Sequence, residues 1–350
     1  MKHIIHEIGR RRSKRGARCW NGHRVFLAVV ITAVTVLTPS SSFSAPSEAQ
    51  SAPSTQAQSA LNDALFFAIA HKNIAQVKDL LGKGASASAR NKQGFTPIIA
   101  AAIVGSPILV SSLVKEGGDV SAKDAHGLTA LMYAARVGSV PALQSLLDEG
   151  ADPNSVDERG VTALMFASDQ GSPQVIAALL AKGADPRARD VSGGEALSLA
   201  ADQGNTAALR LLLAKGTEIN AQDGDGQTAL LIAASRGYVA STKALLEKGA
   251  DLEITNEAGW TPLMASAYHG KAETIRLLLA KGAKVNVAGK GGVTALMAAA
   301  HMGSALVVRI LLAAGADRKA KNQLGETALI AAQQAGHADV VALLRKARKP

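Results

Sequence analysis

Histidine is the residue type in this sequence that comes closest to a reactive or metal-binding set. His269 and His301 lie in two successive segments of similar sequence, one position apart in register. A zinc site would need at least one further ligand about 2 Å from the same ion, and the sequence offers no obvious one. The single cysteine, Cys19, lies near the start of the chain, and no Ser-His-Asp or Cys-His set is visible. We therefore expect no catalytic residues, no metal and no cofactor, and we expect these histidines to face solvent or a partner.

A phrase of the sequence, from Gly160 to Gly171, recurs along the chain every 33 residues. Its other copies begin at Gly94, Gly127, Gly193, Gly226, Gly259, Gly292 and Gly325. A fixed period of this length is typical of a repeat array, in which one supersecondary unit is stacked many times. The period gives each face of the array the same kind of residue again and again, whereas catalysis needs unlike groups that converge.

Each repeat carries the signals of a turn followed by two short helices. In the repeat that begins at Gly127, the turn is Asp124 to Gly127, with Asp and Gly at the positions that a type I turn favours. Thr129 is placed to cap a first helix, and Gly138 to end it in the left-handed conformation. The second helix is predicted from about Val140 to Asp148, with leucines at helical spacing. Neither helix can bury its apolar face alone, so neighbouring repeats must stack.

The units resemble the ankyrin repeat, whose pattern runs D-x-x-G-x-T-P-L-H-x-A-A-x-x-G and later L-L-x-x-G-A-D. Here it reads from Asp124 to Gly138 and from Leu146 to Asp152. The resemblance covers residues 61–350 in nine units, which begin at 61, 94, 127, 160, 193, 226, 259, 292 and 325. It implies an all-α solenoid of stacked helix-turn-helix units with short β-turn fingers. It also implies a protein partner that contacts the finger tips and the ends of the first helices.

Residues that change from copy to copy at these places are the candidate partner-binding residues. They are Arg136, Asp169, Gln170, Asp202, Gln203, Arg236, Trp260, Tyr268, His269, His301 and Met302. The two Asp-Gln pairs predict an acidic centre, although solvated helix ends would have the same sequence. The residues from Trp260 to Met302 predict an aromatic and thioether patch, since Trp and Tyr are frequent hot-spot residues. The alternative for Trp260 is that it packs on its own finger.

The repeat that begins at Gly193 departs from the pattern at its helix start. It reads Gly193-Gly194-Glu195-Ala196, so Glu195 replaces the capping threonine. Glutamate suits the positive end of a helix electrostatically but is a poorer cap than threonine. We therefore predict a weak joint in the array between Gly193 and Gly204.

The formal charge of +10 is concentrated at the start of the chain. Up to Arg24 there are eight cationic residues against Glu7, which accounts for +7 of the total. The repeats are therefore close to neutral, and we expect no nucleic-acid partner.

The first sixty residues have the composition of an export signal and a spacer. A basic run is followed by an apolar stretch from Val25 to Leu37, which is too short to span a bilayer, and then by small residues. We predict a signal peptide over residues 1–44, with cleavage near Ser44–Ala45, or alternatively an uncleaved anchor in the inner membrane. Residues 45–60 have no apolar periodicity and are predicted to be a disordered linker. The protein would then be periplasmic or secreted, and would touch a membrane only through an uncleaved leader.

These features favour a monomeric, non-enzymatic module that binds another protein in the bacterial envelope or outside the cell. Two alternatives remain open. The array could be an accessory or regulatory part of an envelope stress system that includes a peroxide-defence enzyme. Some bacterial periplasmic proteins of the family that it resembles are associated with defence against peroxide. It could also be a secreted effector that acts on a host cell.

Overall fold

The computed structural model describes residues 55–346, which form an all-α repeat solenoid. In this range there are eighteen α-helices and one short 3-10 helix, and no β-strand beyond isolated bridges. The described residues fall into two compact halves, residues 55–185 and residues 186–346. The predicted fold class is confirmed.

The first half contains four helix pairs. They are α1 (Thr55–Ala70) with α2 (Ile74–Gly82), α3 (Pro97–Ile103) with α4 (Pro107–Lys115), α5 (Ala130–Val137) with α6 (Val140–Asp148), and α7 (Ala163–Gln170) with α8 (Pro173–Ala181).

The second half contains five helix pairs. They are α9 (Ala196–Asp202) with α10 (Thr206–Ala214), α11 (Ala229–Arg236) with α12 (Val239–Glu247), α13 (Pro262–Tyr268) with α14 (Ala272–Ala280), α15 (Ala295–His301) with α16 (Ala305–Ala313), and α17 (Ala328–Ala335) with α18 (Ala338–Lys346). The 3-10 helix, Lys290–Gly292, lies in one finger.

Within each half, the first helix of a repeat packs on its own second helix and on the first helix of the next repeat. The first helices are almost entirely buried, and alanines such as Ala134 and Ala135 let them approach closely. Tyr133 and Phe166 are fully buried in these helices, as expected for core residues. The Tyr133 hydroxyl donates to Asp124 Oδ2 at 2.7 Å, and burial raises the pKa of this phenol.

The local signals predicted for a repeat are present in the structure. Asp124 Oδ1 accepts hydrogen bonds from the backbone N–H groups of His126, at 2.8 Å, and Leu128, at 2.9 Å, which fixes the finger turn. The Thr129 hydroxyl accepts from the N–H of Met132 at the start of α5. Gly138 ends this helix with φ of 75°, a conformation that side chains rarely adopt.

Polar side chains tie one repeat to the next along the segments that lead into the fingers. Gln222 Nε2 donates to the carbonyls of Gly226, in its own finger, and Thr255, in the next repeat, at 2.8 and 3.0 Å. The Asn286 side chain likewise accepts from Asp317 N at 2.8 Å and donates to Gly315 O at 3.1 Å. These bonds satisfy loop backbone groups and hold the loops of successive repeats side by side.

The start of the array differs from the prediction. Helix α1 begins at Thr55, so residues 55–60, which we assigned to a disordered linker, are helical. Within this extension, Gln58 Nε2 donates to Asn62 Oδ1 at 3.2 Å and to the Gly84 carbonyl at 2.9 Å, which joins the start of α1 to the loop after α2. Asp63 stands where most other repeats have the capping threonine, and it lies inside α1. The predicted signal peptide and residues 45–54 lie outside the described residues.

Glu195 is a poor cap, as its sequence position suggested. Its side chain is only 4% exposed and makes no hydrogen bond that caps α9, although the Ser198 hydroxyl accepts from the Glu195 N–H at 3.1 Å and so supplies one half of a capping box. One carboxylate oxygen accepts from Arg189 Nε at 2.9 Å, whereas Oε2 has no partner among the described residues. The carboxylate lines a cavity of about 10 Å³ that also touches Ser198 and Asp223, a space about large enough for one water.

Burial raises the pKa of the Glu195 carboxyl above its ordinary value of 4.5, and repulsion by Glu218 acts in the same direction. The bond to Arg189 and the charge of Arg187 oppose this shift. Since the pKa is raised in the folded state, the stability that protonated Glu195 contributes is present below pH 4.5 and is lost as the pH rises through the raised pKa.

Replacing Glu195 by threonine should stabilise the array. Glu195→Thr restores the cap found in the neighbouring repeats and removes a buried charge, so we expect the free energy of unfolding to rise by about 1 kcal/mol at neutral pH. The gain should shrink on acidification, because Glu195 becomes neutral and threonine does not titrate. Thermal unfolding at about pH 4 and about pH 7 measures both effects.

Thr228→Ala is the matched control, since it removes the corresponding hydroxyl of the next repeat, which accepts from Leu231 N at 3.2 Å. It should destabilise at both pH values alike. A Glu195→Thr protein that is no more stable than the natural one, or whose gain does not change with pH, would show that the joint is not weak for this reason.

Candidate functional site

The ends of the first helices in residues 186–346 form a row along the tight turns that join each helix pair. We call Arg236, Tyr238, His269 and Met302 the tight-turn edge. Arg236, His269 and Met302 stand at equivalent positions at the ends of α11, α13 and α15, and all three are exposed. Because α11 packs on α13 and α13 on α15, the row is continuous over three repeats.

Neighbouring repeats are in close contact along this edge. The ring of Tyr238 lies over Gly204, where an added Cβ would come within 2.8 Å of it. The Lys271 side chain covers Gly237, and the His337 ring covers Gly303, in the same manner. His337 Nε2 also lies 3.0 Å from the carbonyl oxygen of His301. The side chain after each tight turn therefore rests on the previous repeat.

Arg236 is held in place by the preceding repeat. Its Nη2 lies 2.7 Å from Asp202 Oδ1 and 3.0 Å from Oδ2, and its Nε lies 2.9 Å from Oδ1. This two-pronged geometry fixes the guanidinium more firmly than a single ion pair would. Both side chains remain partly exposed, so the pair contributes little to stability and mainly positions Arg236 at the edge.

The aromatic patch that we predicted is divided between the core and the surface. Trp260 is only 4% exposed, so our assignment of its indole to a partner-binding surface is wrong for this structure. It packs in its finger, with its backbone N–H donated to Asn256 at 3.0 Å and its ring against Gly289. The rest of the patch includes Tyr268 and His269, whose rings are in contact with each other. The Tyr268 ring meets the Trp260 ring edge-on, with 5.2 Å between the ring centroids.

The remaining residues of the patch have different exposure. Tyr268 and His301 are half-buried, His269 is exposed, and the Met302 side chain is 46% exposed. Met302 and His269 are thus accessible, whereas the indole of Trp260 forms part of the core.

Arg136 is a second residue that the structure removes from the surface. It is 4% exposed and lies at the end of α5, although its sequence position suggested a helix end facing solvent. Burial lowers the pKa of the guanidinium, whereas the nearby Tyr133 and Asp169 favour its charged form. Arg136 therefore belongs to the packed interior, and it is not available to a partner in this conformation.

The two Asp-Gln pairs lie in different halves. In the first half, Asp169 is half-buried and Gln170 is exposed, and Gln170 Nε2 donates to Asp169 Oδ2 at 3.0 Å. In the second half, Asp202 holds Arg236, and Gln203 beside it is half-buried. The negative charge of Asp202 is thus largely compensated by Arg236, so the prediction of an acidic centre is weakened there.

Tyr238 is a surface residue that the sequence analysis missed. Its side chain is 38% exposed, next to Val239, which is also exposed. Equivalent positions in other repeats hold serine, asparagine, lysine or histidine, so an aromatic residue at this point is a departure from the pattern. Alignment of the repeats could also have shown that Trp260 is buried, because the apolar residues Leu128 and Val161 stand at the same position of their own repeats.

Neither a metal site nor a membrane span is found in the described part of the chain. No group of three or more His, Cys, Asp or Glu residues between 55 and 346 is arranged to hold a metal ion. No helix in that range is both long enough and apolar enough to cross a bilayer.

Comparison with known proteins gives one result. The family model described as "Ankyrin repeats (3 copies)" matches residues 65–157, 109–190, 138–223, 197–289 and 287–349. Together these matches span nearly all of the described residues. No curated protein matches the chain.

Removing the Trp260 side chain should unfold part of the array rather than affect binding alone. Since the indole is buried against Gly289 and Tyr268, we expect Trp260→Ala to lower the free energy of unfolding by about 3–5 kcal/mol. Met302→Ala is the matched control, and because Met302 is exposed it should change stability by less than about 0.5 kcal/mol. Urea unfolding followed by circular dichroism measures both. Equal stability of the two variants would mean that the indole is not a core residue.

Proposed function

Because the chain belongs to the ankyrin-repeat family, we propose that it is a non-enzymatic scaffold that binds a protein partner through the tight-turn edge. Ankyrin repeats are in general protein–protein interaction modules, and proteins of this family are typically non-enzymatic. The observation that carries the proposal is the exposure of Tyr238 and Met302 on a row held rigid by the packing of three repeats.

The chemistry of this edge suits a protein interface. Tyrosine, methionine and arginine are enriched at interfaces, and a few such residues supply most of the binding energy. Arg236 is already positioned by Asp202, so little conformational entropy is lost when it meets a partner. The exposed Leu306, in the second helix next to Met302, extends the apolar part of the edge. We propose that the protein acts as a monomer, with one partner seated along this edge.

Two substitutions at the edge should remove the partner without disturbing the fold. In the variant Tyr238→Ser with Met302→Gln, each residue takes the type found at the same position in other repeats. We expect capture of the partner from an envelope or culture fraction, read by quantitative mass spectrometry, to fall by about tenfold or more. The reason is the loss of the two largest exposed apolar side chains on the row.

Leu324→Ala is the control for this experiment, because Leu324 is also exposed but lies in a finger of the last repeat. It should capture the same proteins as the natural chain. If the proteins captured by the edge variant and by the control are identical, the edge is not the binding surface. If neither the natural chain nor the variants capture any protein, the proposed function itself is wrong.

We further propose that the protein works in the periplasm or outside the cell. The support is the basic, apolar and small-residue pattern of residues 1–44, which lie outside the described residues. We expect the mature protein, sequenced from its N-terminus, to begin near Ala45. An intact N-terminus in the membrane fraction would indicate an anchor instead, and an intact N-terminus in the cytosol would contradict export.

A further inference from the structure

The segments that lead from each second helix to the next finger change charge sharply within residues 186–346. We call residues 215–225, 248–258, 281–291 and 314–324 the finger-stem segments. Each of the first two holds one lysine and three acidic residues. The last two together hold six cationic residues and a single acidic one, Asp317. The same edge of the array therefore carries a charge of −4 over two repeats and +5 over the next two.

The six cations of the last two segments form what we call the basic patch. They are Lys281, Lys284, Lys290, Arg318, Lys319 and Lys321. Five are exposed, Arg318 is half-buried, and none makes an ion pair with another described residue. The departure is clearest at Lys284, because the equivalent positions on either side hold Asp251 and Asp317.

The two basic segments lie side by side and are held in place by hydrogen bonds. Gln323 N donates to the Gly291 carbonyl at 2.9 Å, which joins the two fingers. The Glu253 side chain accepts from Lys284 N at 2.9 Å, and Asp317 Oδ1 accepts from Lys319 N at 2.8 Å. Glu253 and Asp317 therefore bind backbone N–H groups and make no ion pair with the cationic groups of the patch.

We propose that the basic patch binds a short acidic segment of the partner protein. This inference rests on the proposed function and adds to it the charge of the partner and a second contact surface. Two repeats extend over about 20 Å, since packed helices lie about 8–10 Å apart. An extended peptide of about eight residues spans a little more than this distance.

The change from negative charge in residues 248–258 to positive charge in residues 281–291 favours a short acidic segment over a long or flat polyanion. A nucleic-acid duplex or an anionic bilayer would extend across residues 215–225 and 248–258, where the charge is negative and would repel it. Single-stranded nucleic acid is bound largely by stacking on aromatic side chains, and the two basic segments contain none. An acidic segment confined to the basic half meets a net charge of +5.

The test uses the full chain and a fluorescent peptide of eight glutamates. We expect the peptide to bind at low salt and to bind more weakly as salt is added, because exposed charges are screened over about 10 Å at 0.1 M salt. In the variant Lys284→Glu with Lys319→Glu, binding should weaken by about tenfold or more. The variant Lys215→Glu with Lys248→Glu is the matched control. It changes the charge equally two repeats earlier, and it should weaken binding by less than about twofold.

Several results would overturn the proposal. They are a loss of binding that is equal in the two variants, binding of the natural chain that is insensitive to salt, and tighter binding to a single-stranded DNA or to phosphatidylserine vesicles than to the peptide. Dimerisation at low salt that the patch variant abolishes would assign the patch to a second copy of the chain instead. The salt titration needs no substitution, so binding that is insensitive to salt would overturn the proposal even if a variant fails to fold.

The outcome can be separated from that of the proposed function. The tight-turn variant, Tyr238→Ser with Met302→Gln, leaves the basic patch intact and should bind the glutamate peptide normally. If the peptide does not bind while capture still depends on Tyr238 and Met302, the patch assignment is wrong and the proposed function stands.

Discussion

The burial of one helix pair against the next is the constraint on which this structure depends. Each repeat has two short helices, and the first is apolar on nearly all sides, so it is stable only between neighbours. Alanines such as Ala134 and Ala135 keep these helices close, and capping threonines such as Thr129 satisfy the backbone at each start. Local signals define the helices, but the energy that keeps them folded comes from contacts between repeats.

This division of roles explains where the chain can vary. Positions that pack between repeats are held to a narrow range of side chains, whereas the ends of the first helices and the finger stems can differ in every copy. Tyr238 and Met302 at the tight turns and Lys284 in a finger stem are departures of this kind, and all three are exposed. Glu195 is a departure inside the packed region, and there the cost is a side chain that does not cap its helix and a buried carboxylate oxygen that has no partner among the described residues.

The two surfaces proposed here use different physical effects. The tight-turn edge offers apolar area and one positioned guanidinium, which favour tight contact once water is removed. The basic patch is exposed, and attraction between exposed charges is screened by salt and favours the rate of encounter and the orientation of a partner more than the final affinity. Together they describe a partner with an apolar contact region and a short acidic segment.

The sequence by itself determined the fold, because a strict period of turns, caps and leucines leaves one way to bury each helix. It also located the helix ends where His269 and Met302 are exposed. Only the tertiary structure decided which variable residues reach the surface. Trp260 is buried in its own finger against Gly289 and Tyr268, Arg136 is buried at the end of α5, and Tyr238 is exposed at the edge, where it rests on Gly204 of the repeat before it. The contact between Tyr238 and Gly204 joins residues about one repeat apart, so no local pattern of the sequence reports it.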